Sequence, residues 1–212
     1  MNNIIQTDGI IFDVDGTIWD STHSVEKLWN EAIMENSELS VRVVADQLKG
    51  LFGKTMDEIG DILFPMLDVP ERRKLQDACH AKENVGLKAN PGILYEGIED
   101  VFSHLSKTYP LFIVSNCQEG YIEMVLETKR LEGYFKDYLC FGDTGQGKAY
   151  NLRMLADKHS LKHPVYVGDT EGDFHACQEA DIPMIFASYG FGDAPGAPYQ
   201  ISCPRQLLEL FA

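Results

Sequence analysis

Two pairs of acids carry the chemical signal of this chain. Asp13 and Asp15 stand one residue apart directly after the apolar run Gly9-Ile10-Ile11-Phe12, and Asp169 and Asp173 follow the run Val165-Tyr166-Val167. In extended backbone, side chains two apart point the same way. Carboxylates held close repel, and one is driven neutral unless a cation sits beside them. Four such acids at strand ends suit a hard divalent cation, and all-oxygen ligation with phosphate completing the shell is a magnesium preference. Aspartate between a strand and a helix also serves as an N-cap, but two pairs at separate strand ends exceed what capping requires. Lys148, in Gly145-Gln146-Gly147-Lys148 at the start of a helical pattern, can neutralise a carboxylate and a phosphate together. The stretch from Gly142 to Ala149 meets the GxxxxGK part of a Walker A loop, yet Ala149 lacks the hydroxyl that must hold magnesium. Ser115-Asn116, ending the run Leu111-Phe112-Ile113-Val114, offers a hydroxyl and an amide to phosphate oxygens, although alone the dipeptide is a turn or cap.

Short apolar runs at 9–12, 111–114, 138–141, 165–167 and 184–187 read as buried strands, each ending in polar or glycine residues. Helical spacing separates them, as in Ile98, Val101, Phe102 and Leu105. Strand alternating with helix predicts an α/β fold with a doubly wound parallel sheet. Ligands of such sheets bind beyond the carboxyl ends of the strands, where the acids, Ser115 and Asn116 gather. Residues 20–88 break the alternation: Leu28-Trp29 with Ala32-Ile33, Val44-Leu48, Met56-Ile59-Leu63 and Leu75-Ala78 all look helical. A crossover of that length far exceeds ordinary connections. The sequence therefore predicts a core of 1–19 and 89–212 with a helical cap, 20–88, inserted after the first strand. The linkers fall near Asp20-Ser21-Thr22 and Lys88 to Gly92.

The 212 residues carry a formal charge of −15, which argues against a nucleic acid polymer or an anionic membrane surface as partner. A small anionic substrate is compatible, because a local cation overrules the global field. No apolar run reaches the roughly 18 residues of a membrane span, and the polar stretch 1–7 does not resemble a signal peptide. Five scattered cysteines without a CxxC pair predict reduced thiols and a cytoplasmic location. The oligomeric state is not encoded in any feature of the sequence.

Taken together, these motifs resemble the haloacid dehalogenase-like hydrolase superfamily. Its DxDGT is Asp13-Val14-Asp15-Gly16-Thr17, its strand ending in Ser or Thr is Leu111 to Ser115, its motif lysine is Lys148, and its GDxxxD is Gly168-Asp169-Thr170-Glu171-Gly172-Asp173. The helical insertion is similar to the small cap of phosphoglycolate phosphatase and β-phosphoglucomutase relatives. The resemblance implies a magnesium-dependent phosphatase acting on a small phosphorylated metabolite. Asp13 would be the nucleophile forming an aspartyl-phosphate, and Asp15 the acid that protonates the leaving oxygen and then takes a proton from water. Mg²⁺ would be held by the Asp13 carboxylate, the Asp15 backbone carbonyl and Asp169, with Asp173 orienting the site. Ser115, Asn116 and Lys148 would hold phosphoryl oxygens.

Asp15 separates the chain from the family's dehalogenases and phosphonatases, which do not carry this second acid. A sugar-phosphate mutase is the alternative, but the mutases' cap histidine falls here on Val25, and His23 lies on a different helical face. A non-catalytic binding protein on this fold would have lost the nucleophile, acid or metal ligand, and all are present. In the cap, Gly50-Leu51-Phe52-Gly53-Lys54-Thr55 sits about where relatives place a specificity loop, making Lys54 and Thr55 candidates for contact with the substrate. Thr55 with Glu58 also fits a capping box. Trp29 is a third candidate, although tryptophan on an amphipathic helix more often serves the core.

Overall fold

The apolar runs pair as one parallel sheet in the computed structural model, which describes residues 4–211. The first residues of the polar stretch 1–7 and the final residue assigned to the core, 212, lie outside the described residues. The strands are β1 (Gly9–Phe12), β4 (Leu111–Ser115), β5 (Phe135–Cys140), β6 (Pro164–Gly168), β7 (Met184–Ala187) and β8 (Tyr199–Ile201), in the order β5-β4-β1-β6-β7-β8. The numbers β2 (Trp19–Asp20) and β3 (Ile93–Leu94) belong to a separate antiparallel pair. Central strands of a parallel sheet are covered on both faces, which is why they read as unbroken apolar runs. Ile10 and Phe12 pack on one side with Val101 and Phe102; Ile11, Phe112 and Tyr166 pack on the other with Leu152, Leu155 and Cys177. β1 lies between β4 and β6, where the strand order reverses. That is the point at which such sheets open a crevice for ligands.

Four helices fill the insertion: α1 (Thr22–Asn36), α2 (Ala45–Lys49), α3 (Met56–Leu63) and α4 (Val69–Ala89). The first and last of them form its frame. Gly86 makes their close approach possible, since a Cβ there would come within 2.2 Å of Leu28 Cδ2. Asp68 caps α4 by accepting the Glu71 N–H at 2.9 Å, and Pro70 sits in its first turn, where a missing N–H costs nothing. The remaining helices belong to the core: α5 (Ile98–Leu105), α6 (Tyr121–Lys129), α7 (Phe141–Thr144), α8 (Lys148–His159), α9 (Glu171–Ala180) and α10 (Leu207–Leu210).

Three elements differ from the sequence expectation. The chain enters and leaves the cap through the β2/β3 pair, with Trp19 opposite Leu94 and Asp20 opposite Ile93, and two residues per strand are too few to show a period. β5 begins at Phe135, three residues before its apolar run, because this edge strand is half-exposed and carries Lys136 and Asp137. β8 is only three residues long and follows a glycine- and proline-containing loop that gave no strand signal.

Candidate active site

The site is built where β1 and β6 end side by side. The Asp13 N–H donates to the Val167 carbonyl at 2.9 Å, so the ladder holds the two loops together one residue beyond β1. The chain then turns sharply at Gly16, whose φ of +82° favours glycine. A Cβ at Gly16 would also stand 2.1 Å from Asp169 Oδ2. The turn thereby presses the first acidic motif against the second. Asp13, Asp169 and Asp173 are all buried, and each offers a carboxylate oxygen within 4.8 Å of the others.

Lys148 is the first residue of α8, and its Nζ reaches Asp13 Oδ2 at 2.9 Å and also pairs with Asp173 Oδ1. Burial works against a charged lysine, but these two carboxylates override it and hold the ammonium more firmly protonated than usual. Asp173 is buried as well, yet Lys148 and Thr170 keep its carboxyl below the ordinary range. Its Oδ2 accepts the Asp169 N–H, the Thr170 N–H and the Thr170 hydroxyl at 3.1, 3.0 and 2.8 Å. With both oxygens engaged, Asp173 braces the loop and anchors the lysine.

Asp13 and Asp169 are less fully supplied. Burial pushes the Asp13 carboxyl up to about 6, with Lys148 opposing and Asp173 adding to the rise. Asp13 Oδ1 is buried without a hydrogen-bond partner. Asp169 accepts the Phe191 N–H at 2.7 Å and the Thr17 hydroxyl at 3.2 Å, but burial and the neighbouring carboxylates Asp173 and Asp13 raise it well above the usual range. An orphaned carboxylate oxygen beside a second under-neutralised carboxylate, all with hard oxygen donors, fits a divalent cation.

Asp15 points elsewhere and does not join the acid cluster. Its Oδ1 accepts three donors: Trp19 Nε1 at 3.0 Å, the Ser21 hydroxyl at 2.9 Å and the Tyr121 hydroxyl at 2.8 Å. Burial outweighs them and pushes the carboxyl up to about 7. A carboxyl poised near neutrality suits a general acid and base.

Between the core and the cap lies a cavity of about 30 Å³. Asp15, Ser115 and Asn116 line it from the core; Trp29, Lys54 and Glu83 line it from the cap. Asn116 is engaged differently from the expectation that its amide holds phosphate: Nδ2 donates to the Gly53 carbonyl of the cap loop at 2.8 Å. Gly53 also lies against Thr170, and the rings of Phe52 and Phe191 stand 6.0 Å apart, so this loop is the part of the cap that closes over the acids. Thr55 does not line the cavity. Its hydroxyl and N–H both donate to Glu58 Oε2 at 2.8 Å, and it accepts the Glu58 N–H, forming a capping box for α3.

Sequence reasoning missed four residues here. Trp19 and Ser21 reach Asp15 from only four and six residues further along the chain, in and just after β2, a local arrangement that the sequence reading passed over, whereas Tyr121 arrives from α6, which no local spacing could reveal. Glu83 had a readable signal: Leu75, Cys79 and Leu87 keep a four-residue spacing on the buried face of α4, and Glu83 occupies the gap.

The family model of the haloacid dehalogenase-like hydrolases matches residues 10–187. The chain belongs to this family and is an enzyme. It is similar to a phosphoglycolate phosphatase of Xanthomonas campestris pv. campestris (strain 8004), with 26% identity over 94% of each chain. A phosphoglycolate phosphatase of Aquifex aeolicus is 27% identical over 95% of each chain. Among solved structures, a haloacid dehalogenase-like family hydrolase from Streptococcus pneumoniae superposes with a TM-score of 0.78 over the whole of both chains at 20% identity, which speaks for the fold. Hydrolases of this family depend on a divalent metal, and the acid cluster described above fits one.

Proposed function

We propose that this phosphatase hydrolyses a small phosphorylated metabolite through an aspartyl-phosphate on Asp13, with Mg²⁺ as the metal. The observation that carries the reading is the asymmetry of Asp13. One oxygen is held by Lys148 and the other has no partner in the protein. Asp13 attacks phosphorus as the bond to the leaving oxygen breaks, and Asp15 gives that oxygen its proton. In the second half, Asp15 takes a proton from water, which attacks the phosphorus and returns Asp13 as a free carboxylate. Lys148 and the Ser115 hydroxyl hold phosphoryl oxygens throughout, and charge neutralisation of this kind supplies most of phosphoryl-transfer catalysis. Mg²⁺, held by the Asp13 and Asp169 carboxylates and the Asp15 carbonyl, would supply further neutralisation of the phosphoryl charge.

Hydrolysis is favoured over phosphoryl exchange by the cap. Val25 is fully buried, and His23 is exposed on α1, so neither can serve as a mutase's cap acid. The cavity has room for about two waters, so the cap must swing about the β2/β3 linker to admit a metabolite and close again. The relatives' names make phosphoglycolate one candidate substrate. No helix among the described residues is long and apolar enough to cross a membrane. The five unpaired cysteines favour the reducing cytoplasm as its location.

The test is hydrolysis of p-nitrophenyl phosphate with magnesium and with a chelator, combined with acid quenching in the presence of ³²P-labelled substrate. Magnesium-dependent turnover with label on Asp13 is the expected result. Inversion of configuration at phosphorus, in place of the net retention that two in-line displacements give, would exclude the covalent route.

A further inference from the structure

The cap wall of the cavity is acidic where a phosphoglycolate site needs a cation. Glu83, in the middle of α4, is 4% exposed and faces the cavity opposite Asp15. Its Oε2 accepts the Trp29 indole N–H. Its Oε1 has only a 3.4 Å contact from Gln118 Nε2, which leaves acceptor capacity turned to the cavity. Burial pushes this carboxyl up to about 8, with the Asp15 carboxylate adding to the rise, as happens to an acid short of donors. Lys54, the cation of the same wall, is exposed at the surface of the cap loop, not buried beside Glu83. A carboxylated leaving group would bring Glu83 no donor and, like Asp15, would oppose its ionisation. A hydroxyl or ammonium group would satisfy Glu83 instead.

Resting on the phosphatase reading above, we propose that Glu83, oriented by Trp29, is the specificity determinant, and that the substrate's leaving group carries a hydrogen-bond donor, an alcohol or amine, in place of a carboxylate. Leaving an acceptor of this kind unpaired in a buried site is what gives polar pockets their discrimination.

The test compares kcat/KM for three small phosphomonoesters: glycerol 3-phosphate with hydroxyls, phosphoethanolamine with an ammonium, and 2-phosphoglycolate with a carboxylate. The wild-type enzyme should favour at least one donor-bearing ester over 2-phosphoglycolate by tenfold or more. Glu83→Leu should cut that ratio at least tenfold. Glu83→Gln distinguishes the two donors: it retains preference for a hydroxyl, which the amide oxygen still accepts, and loses preference for an ammonium. A wild-type preference for 2-phosphoglycolate, or a ratio unchanged by Glu83→Leu, would overturn the proposal while leaving the phosphatase reading intact. Failure to release phosphate from all three esters and from p-nitrophenyl phosphate would remove both together.

Discussion

The sheet edge and the cap wall both bury carboxyl groups, but they treat them differently. At the edge, Lys148 lies between Asp13 and Asp173, and Asp173 takes hydrogen bonds from two backbone amides, a hydroxyl and the lysine. In the cap, Glu83 has Trp29 and a long contact from Gln118. The Asp173–Lys148 brace is complete within the protein, so its geometry is set before substrate arrives, while Asp13 and Asp169 keep capacity for a cation. Such preorganised charge costs no rearrangement during the reaction. The cap wall remains under-supplied and therefore responds to what enters. The proposed reading thus puts catalysis on strand ends held by a parallel ladder and selectivity on α4 of the cap.

Replacement of the nucleophile is the sharpest way to test this division. Asp13→Asn should lower kcat by about 10⁴-fold or more for every phosphomonoester, because the covalent step has no substitute. Residual activity within a hundredfold of wild type on any substrate would break the assignment of chemistry to the edge. Lys148→Met should lower kcat by about 10²–10³-fold, the scale of one lost charge stabiliser. It should also leave Asp13 and Asp173 buried without their cation, a loss of about 3 kcal/mol or more. The melting temperature should therefore drop more in chelator than in magnesium, since the metal neutralises part of the same charge. Equal drops in both would show that metal and lysine act on separate groups.

The contrast also explains what could be read from sequence. β1, β4, β6 and β7 announce themselves because both faces are buried, and Asp13, Asp169 and Lys148 stand at fixed offsets from element ends. The four cap helices were legible from their spacing and from the lack of any strand signal. Partnership between distant elements was not. Tyr121 meets Asp15 across 106 residues of chain, and Asn116 meets Gly53 across 63. The Thr55 hydroxyl fitted both a substrate contact and a capping box in the sequence, and the local geometry of α3 engages it in the second. Glu83 on an apolar face was a visible irregularity, but its meaning depended on which surface the cap presents to the core.

The donors around Asp15 belong to the edge and should behave as positioning groups. Tyr121→Phe removes one of three hydrogen bonds to Oδ1 without changing the shape of the site. Hydrogen bonds to the ionised carboxylate lower its pKa, so losing one raises it further above its value of about 7. The protonated acid then persists to higher pH. For an alkyl phosphate, whose leaving oxygen needs that proton, the alkaline fall of kcat should move upward by about half to one pH unit, with maximal kcat reduced by about 3- to 10-fold. p-Nitrophenyl phosphate, with a good leaving group, should show a much weaker alkaline fall in both proteins. A downward displacement would mean that Tyr121 acts on another group.

The smallest effect concerns stability, and it separates the two regions without any substrate. Glu83 rises from 4.5 to about 8 on folding, burial being the main cause. Between these values the native protein keeps a proton that the unfolded chain releases, so this group's contribution to stability falls as pH rises across that window. Glu83→Gln has no such proton to keep. Its melting temperature relative to wild type should therefore climb from pH 5 to pH 9, by about 2–6 °C if hydration of the cap leaves roughly 1–2 kcal/mol of the full linkage. The reverse slope belongs to Asp173, whose carboxyl is lowered by Lys148 and Thr170 despite its burial. Asp173→Asn should fall further behind wild type as pH rises towards about 4, where the native carboxyl is ionised and the unfolded one still protonated, and the deficit should then stay constant at higher pH. If the Glu83 difference stayed flat across pH while the Asp173 difference followed this course, the cap carboxyl would be as well supplied as Asp173, and the division between a braced sheet edge and a responsive cap wall would fail at its least conspicuous residue.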